Sequence, residues 1–396
     1  MNNLKPLNSV LVKPAGPDCN LNCTYCFYLE KAELYSEAKT HRMSYETLEV
    51  LIRQVMAQSG SHVSFTWQGG EPTLIGLGFY EKVIELQKKY GRGKVIGNGL
   101  QTNGMLIDEK WAAFLAEHNF LIGLSIDGPR HIHNHYRKLS NGSPSWDRVY
   151  RSLCLLKEQK VAVNAMSCVT SYSAQYAEDT YNFFKNEGFE WMQFIPIVET
   201  SRNGNKYAAD FSVNAEDYGY FLIDLFDLWV NDFVNDEPTT HIREFESLFY
   251  TYVGMQAPEC YMQAECGTYP TVEHNGDVYA CDFFVETKWK LGNIHTTSLI
   301  ELLNSQKQKQ FGKLKSVLPP KCKRCSWYRH CLGGCTKDRV KDIRDSGMPR
   351  FCRSTKMFLE HADGFYKNLA EKWHIKQNRN PLDSYKTYNA FGDFME

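Results

Sequence analysis

The chain has 396 residues, 43% of them hydrophobic and 14% aromatic, with a formal net charge of −1. That is enough apolar material for a packed core, and it excludes a disordered chain. Near-neutral charge without a long basic stretch gives no case for nucleic acid or membrane as partner. With no signal-peptide pattern and no run near ~18 apolar residues, the cytoplasm is the expected compartment.

In chain order, β-rich runs fall at Val10–Lys13, Val63–Trp67, Val95–Gln101, Leu121–Ser125, Val161–Val169 and Trp191–Ile195. Helical patterns separate them near Ser44–Gln58, Gly76–Tyr90, Asp108–His118, Ser145–Glu158 and Ser173–Glu187. Ser44, Asp108 and Ser145 stand where N-caps are expected. Such alternation predicts parallel βα units. Six units fall short of eight, so the expected form is an open, partial barrel. The early strands end in polar or Gly-rich loops, CNLNCTYC, QGGEP, QTNG and SIDGP, and parallel barrels keep their active sites at those strand ends. After about residue 200 a polar segment, SRNGNKYAADFS, reads as a linker, followed by an aromatic helical stretch at Tyr218–Phe233. Short strands are expected at Thr271–Glu273 and Val278–Ala280, and a last helix at Ser354–Ala370. The tail from Gln377 is polar, as mobile termini are.

Thirteen cysteines in a chain without an export signal point to metal binding or chemistry rather than disulfides. Cys19-x3-Cys23-x2-Cys26 follows the first strand. Three soft thiolates in one loop suit zinc or an iron–sulfur cluster. Structural zinc usually takes four protein ligands, and the next candidate is His41. A 4Fe–4S cluster on three thiolates keeps one iron open for a cofactor. Downstream, Cys322-x2-Cys325-x5-Cys331-x3-Cys335 is followed by Cys352 and preceded by Cys260, Cys266 and Cys281. These eight make two sets of four, for two clusters or two zinc ions; spacing favours neither. Cys154, among leucines, and Cys168, in an apolar run, read as buried inert thiols.

The loop CNLNCTYC resembles the CxxxCxxC signature of radical S-adenosylmethionine (radical SAM) enzymes, and Gly69-Gly70-Glu71-Pro72 resembles their GGE motif. From Cys260 to Cys352 the pattern resembles the SPASM domain. Within that superfamily FTWQGGEPTL, LQTNG, GLSIDGP, IHNHYRK, MQFIPIVE, NGDVYACDFF and LGNI are most similar to anaerobic sulfatase-maturating enzymes. The resemblance implies an α/β fold, a partial (β/α)6 TIM-like barrel over 1–225. Residues 226–396 would hold linker helices and a SPASM domain (about 255–360) binding two auxiliary clusters.

By the same resemblance, three 4Fe–4S clusters are implied. Cys19, Cys23 and Cys26 would hold the radical-making one. Cys260, Cys266, Cys281 and Cys335 would hold the first auxiliary cluster, and Cys322, Cys325, Cys331 and Cys352 the second. Tyr25, Gly69, Gly70, Glu71, Ser125, Arg137 and Val198 would contact S-adenosylmethionine, and Asp282 would be the catalytic base. Without the family, Asp282 reads equally as a solvated strand-end acid and Arg137 as a surface residue. The implied reaction splits the cofactor to a 5′-deoxyadenosyl radical. That radical takes a hydrogen from the β-carbon of a sulfatase cysteine or serine, and Cα-formylglycine results. The implied partners are the sulfatase polypeptide and an electron donor such as flavodoxin or ferredoxin. The alternative is a SPASM enzyme that modifies a ribosomal precursor peptide.

Overall fold

A computed structural model describes residues 4–36, 39–200, 207–339 and 348–379, with two backbone pieces at Thr387–Tyr388 and Phe394–Met395 that pair antiparallel. Residues 201–206 of the expected linker, and the rest of the expected mobile tail beyond residue 379, lie outside the described residues.

Six parallel strands form the centre: β1 (Ser9–Lys13), β2 (His62–Trp67), β3 (Val95–Thr102), β4 (Leu121–Ser125), β5 (Ala162–Val169) and β6 (Trp191–Pro196). They pair in sequence order, β1 through β6, so each βα unit adds one neighbour. The helices between them are α1 (Tyr45–Gln58), α2 (Leu77–Tyr90), α3 (Glu109–Glu117), α4 (Arg130–Tyr136), α5 (Trp146–Glu158) and α6 (Ala177–Asn186). Their apolar stripes close one core with the strands, where Phe65, Trp67, Tyr80, Phe120, Phe184 and Phe194 are fully buried.

Two expected caps are made: Ser44 Oγ accepts from Thr47 N–H at 3.1 Å and Asp108 Oδ1 from Trp111 N–H at 2.9 Å. Ser145 does not cap α5. Its hydroxyl donates to the Arg137 carbonyl at 2.8 Å and meets His133 Nε2 at 3.0 Å, tying α4 to α5. The α4 segment, RHIHNHY, escaped the sequence reading because it has no apolar period to announce a helix.

The barrel does not close. Its β6 edge carries only a short seventh strand, β7 (His241–Ile242). Its β1 edge pairs with β8 (Thr271–Glu273), in parallel, with Leu11 opposite Thr271 and Lys13 opposite Glu273. β8 continues antiparallel into β9 (Asp277–Tyr279) and β10 (Lys290–Asn293), giving one ten-stranded sheet. The cysteine-rich region is thus hydrogen-bonded onto the barrel's own edge, which also covers otherwise unpaired strand groups.

The aromatic stretch after the linker is helix α7 (Ala215–Asn231). It packs on the C-terminal helix Cys352–Arg379, with Phe226 against Phe358, Phe365 and Tyr366. That last helix begins earlier and runs further than the sequence pattern suggested. Among the described residues, no helix is long and apolar enough to cross a membrane.

Candidate active site

The first cysteine loop leaves the C-terminal end of β1 and is pinned by the loop after β2. Gly70 N–H donates to the Gly16 carbonyl at 2.9 Å and Glu71 N–H to the Asp18 carbonyl at 2.7 Å. The approach is so close that a Cβ on Gly70 would stand 2.1 Å from the Asp18 oxygen; only glycine fits there. Gly69 adopts φ +134°, a conformation side chains rarely take. Glu71 is fully buried, and burial lifts its carboxyl pKa against the pull of its hydrogen bonds. It accepts from Thr73 N–H and Oγ, from Thr102 Oγ at 2.7 Å and from Asn103 N–H at 2.7 Å. The Glu71 side chain therefore fastens the β2 and β3 loops together.

Cys19, Cys23 and Cys26 pack with Leu21, Tyr25 and Ile197. Burial pushes the Cys23 thiol up to about 11 and Cys19 up as well, and the charges of the neighbouring cysteines push in the same direction. Three adjacent buried thiolates are costly unless a positive centre sits among them, which an iron cluster supplies. Asn103 Nδ2 lies 3.6 Å from Cys19 Sγ.

Opposite the loop stands Asp127, which sequence reading passed over inside SIDGP. It accepts from Tyr25 OH at 2.6 Å, from Arg137 Nη2 at 3.0 Å and from Cys168 N–H at 2.9 Å, and Arg137 Nε forms an ion pair with it at 2.9 Å. Arg137 is buried, not a surface residue. Ser125 accepts from Gln101 at 2.9 Å on the next strand. Cys168 lies outside the main core: it is half-buried beside Cys23 and Tyr25, with Arg137 Nη2 at 3.6 Å, and burial pushes its thiol up to about 12. Cys154 is exposed rather than buried. Val198 sends its side chain into the main core, and its neighbour Ile197 makes the contact with the cysteine loop.

The β1–β8 register brings the third component. Asp282 starts the turn after β9 and is 6% exposed. Lys13, the last residue of β1 and fully buried, forms an ion pair with Asp282 Oδ1. Gln68, just past β2, donates to Asp282 Oδ2 at 2.9 Å. The Lys13 ammonium also lies 3.5 Å from the Tyr28 ring centroid. Phe27 of the cysteine loop packs on Phe283, ring centroids 4.8 Å apart. Asp282 is therefore no solvated acid: it sits at the barrel's active end, beside the three-cysteine loop.

The remaining cysteines divide into two electrostatic groups. Cys281 feels Cys335 and Cys260; Cys260 feels Cys266; Cys335 feels Cys260. Separately, Cys322 feels Cys352 and Cys325, and Cys331 feels Cys352 and Cys322. Burial raises the Cys260 thiol to about 11 and Cys335 to about 12. Between the groups lie two buried cations, Lys315 and Arg339, each acted on by cysteines of both sets. Among the described residues no three Cys, His, Asp or Glu side chains converge tightly enough for a single metal ion.

A partial parallel barrel with a three-cysteine loop at its active end defines a radical SAM protein, here with a cysteine-rich region joined to the same sheet. Residues 14–184 match the Radical SAM superfamily and residues 260–326 the SPASM iron-sulfur cluster-binding domain. The chain is 42% identical over 375 residues to the serine-type anaerobic sulfatase-maturating enzyme of Bacteroides thetaiotaomicron, across 90% of each protein. It is 41% identical over 365 residues to the cysteine-type enzyme of Clostridium perfringens, covering 90% of this chain and 96% of that one. The solved structure of native anSMEcpe with bound AdoMet and Cp18Cys peptide superposes with a TM-score of 0.84 at 40% identity, covering 93% of this chain and 99% of that one. The chain belongs to the anaerobic sulfatase-maturating enzymes.

Proposed function

We propose that this protein converts a cysteine or serine of a sulfatase polypeptide to Cα-formylglycine without oxygen, in the cytoplasm. The observation that carries the reading is Asp282, delivered by the SPASM region to the mouth of the barrel and held there by Lys13 and Gln68.

Three 4Fe–4S clusters are assigned by residue. Cys19, Cys23 and Cys26 hold the one that works with S-adenosylmethionine. Cys260, Cys266, Cys281 and Cys335 hold the second, and Cys322, Cys325, Cys331 and Cys352 the third; their mutual electrostatics support this division. When bound, S-adenosylmethionine and its cluster supply the one-electron chemistry that removes a hydrogen atom from the substrate β-carbon. Tyr25, Gly69, Gly70, Ser125 and Arg137 line the cofactor's place, with Glu71 and Asp127 fixing the loops and side chains around it. Val198, next to Ile197 of the cysteine-loop cluster, completes the set. Asp282 accepts the proton of the substrate thiol or hydroxyl. The auxiliary centres, when bound, would offer an outlet for the electron left on the substrate, with a one-electron carrier such as flavodoxin or ferredoxin as the external partner. A thioaldehyde from cysteine then hydrolyses to the same aldehyde that serine yields directly.

Anaerobic turnover of cysteine- and serine-containing sulfatase peptides, followed by mass spectrometry, tests the reading. Aldehyde in either peptide is the expected product. Intact cofactor cleavage with no aldehyde from either would refute it.

A further inference from the structure

The near-neutral charge of the whole chain conceals a local asymmetry. Between Glu301 and Asp338 there are nine lysines and arginines and no acid. At the chain's average, a stretch of that length would carry about four acids. Lys315 and Lys337 of this set are buried. Lys309, Lys313, Lys321, Lys323, Arg324 and Arg329 are exposed. Among the described residues none of these six forms an ion pair with an acid.

The position of these cations matters as much as their number. Lys321 and Lys323 flank Cys322 in the short helix Pro320–Lys323, and Arg324 adjoins Cys325. Consecutive turns carry the chain on: Cys325 N–H donates to the Cys322 carbonyl and Tyr328 N–H to the Cys325 carbonyl, each at 3.1 Å. Large apolar side chains lie exposed in the same segment, Val317 at 74%, Tyr328 at 37% and Leu314 at 36%. A cationic surface with apolar side chains among its charges is the make-up of a transient protein interface.

Charge compensation for a cluster does not explain the exposed cations. Buried Lys315 and Arg339 already face both cysteine sets, and the largest cationic influences on Cys322 come from Arg339 and Lys356. The six exposed cations of this stretch are screened by water and are not among those leading influences. Their effect is outward, on the approach of a negatively charged partner.

We infer that this face, centred on Lys321, Lys323 and Arg324, is the docking surface for a small acidic one-electron carrier protein that exchanges electrons with the group held by Cys322, Cys325, Cys331 and Cys352. The inference rests on the cluster assignment proposed above. One electron passes between that group and the carrier: one is oxidised as the other is reduced, and no bond or proton moves. This provides the exit for the electron that substrate oxidation leaves behind.

The test uses the anaerobically reconstituted full chain and an oxidised acidic flavodoxin as probe, with binding followed by calorimetry across rising sodium chloride. The wild type should bind with an affinity that falls steeply with salt. Lys321→Glu, Lys323→Glu and Arg324→Glu together should weaken binding by about tenfold or more and flatten the salt dependence. Iron content and dithionite-driven aldehyde formation should stay at wild-type levels. If the reversed triple variant loses iron, the neutral triple Lys→Gln, Lys→Gln, Arg→Gln at the same positions is used, with a smaller loss expected. Equal binding by wild type and an iron-replete variant overturns the inference. So does a variant that binds flavodoxin normally but loses affinity for sulfatase peptide or RNA, which would give the face to another partner. Failure of dithionite-driven aldehyde formation in the wild type would instead strike the proposed function and leave the docking result readable by itself.

Discussion

Replacing Lys13 by methionine probes the least local feature of the site. The side chain keeps most of its apolar stem but loses the ammonium that faces Asp282 and lies over the Tyr28 ring. Both partners are buried, Lys13 fully and Asp282 at 6% exposure. Removing one member of a buried ion pair costs about 3–5 kcal/mol, because the other charge is left without compensation. For a chain of 396 residues the unfolding entropy is worth roughly 0.8 kcal/mol per degree. The unfolding midpoint should therefore drop by about 4–6 °C in thermal scans of anaerobic protein. Without Lys13 the carboxylate loses the partner that holds it in place, so aldehyde formation should fall by about 10²–10⁴, while cofactor cleavage continues. Adding Asp282→Asn to Lys13→Met removes both charges and should recover most of the lost stability, a large non-additivity for residues in contact. An unchanged midpoint in the single variant, or a double variant less stable than the single, would refute the pairing.

Asp282→Asn alone should reduce aldehyde yield far more than 5′-deoxyadenosine release; parallel loss of both would make Asp282 structural. Asp127→Asn should weaken S-adenosylmethionine binding by about tenfold or more, since Arg137 and Tyr25 lose a charged acceptor; unchanged affinity in an iron-replete variant would contradict its positioning role. His133 is fully enclosed, and burial lowers its pKa to about 3. Its ring stays neutral in the fold while the unfolded chain takes a proton below about pH 6.5. The unfolded state then binds more protons, so stability is complete above that pH and lost as pH falls, by roughly 1.4 kcal/mol per unit. His133 reaches that slope only below pH 6.5, so between pH 7.5 and 5.5 it should account for a loss of about 1.4 kcal/mol in urea unfolding, and His133→Gln should remove that loss; equal losses in the two proteins would place the acid sensitivity elsewhere.

Features that live within a few neighbouring residues were legible in the sequence. The Cys19–Cys26 loop, the Gly69–Glu71 turn and the six strands each announce themselves locally. The errors came from reading neighbours instead of period. Cys168 stands in an apolar run, yet β5 alternates, burying Ser167 and Val169 and turning Cys168 toward the cysteine loop. Cys154 sits among leucines, but the helical period sends Val149, Leu153 and Leu156 inward and leaves Cys154 outside. Lys13 with Asp282 was not legible, because their meeting depends on a strand pairing between segments far apart in the chain.

That pairing also gives a physical reason for the open barrel. A closed eight-stranded barrel would spend the β1 edge on its own last strand. Here the edge stays free for β8, and the register of Lys13 against Glu273 sets where the turn after β9 emerges. Cys281 and Asp282 are adjacent on that turn, so one strand pairing positions both a cysteine of the SPASM region and the proposed proton acceptor. A bulge or one-residue slip between β1 and β8 would move the two together, turning Asp282 away from Lys13 and Gln68. The site is therefore assembled by the sheet rather than by either region alone, and the cysteine-rich region works as a wall of the active site as well as a carrier of clusters.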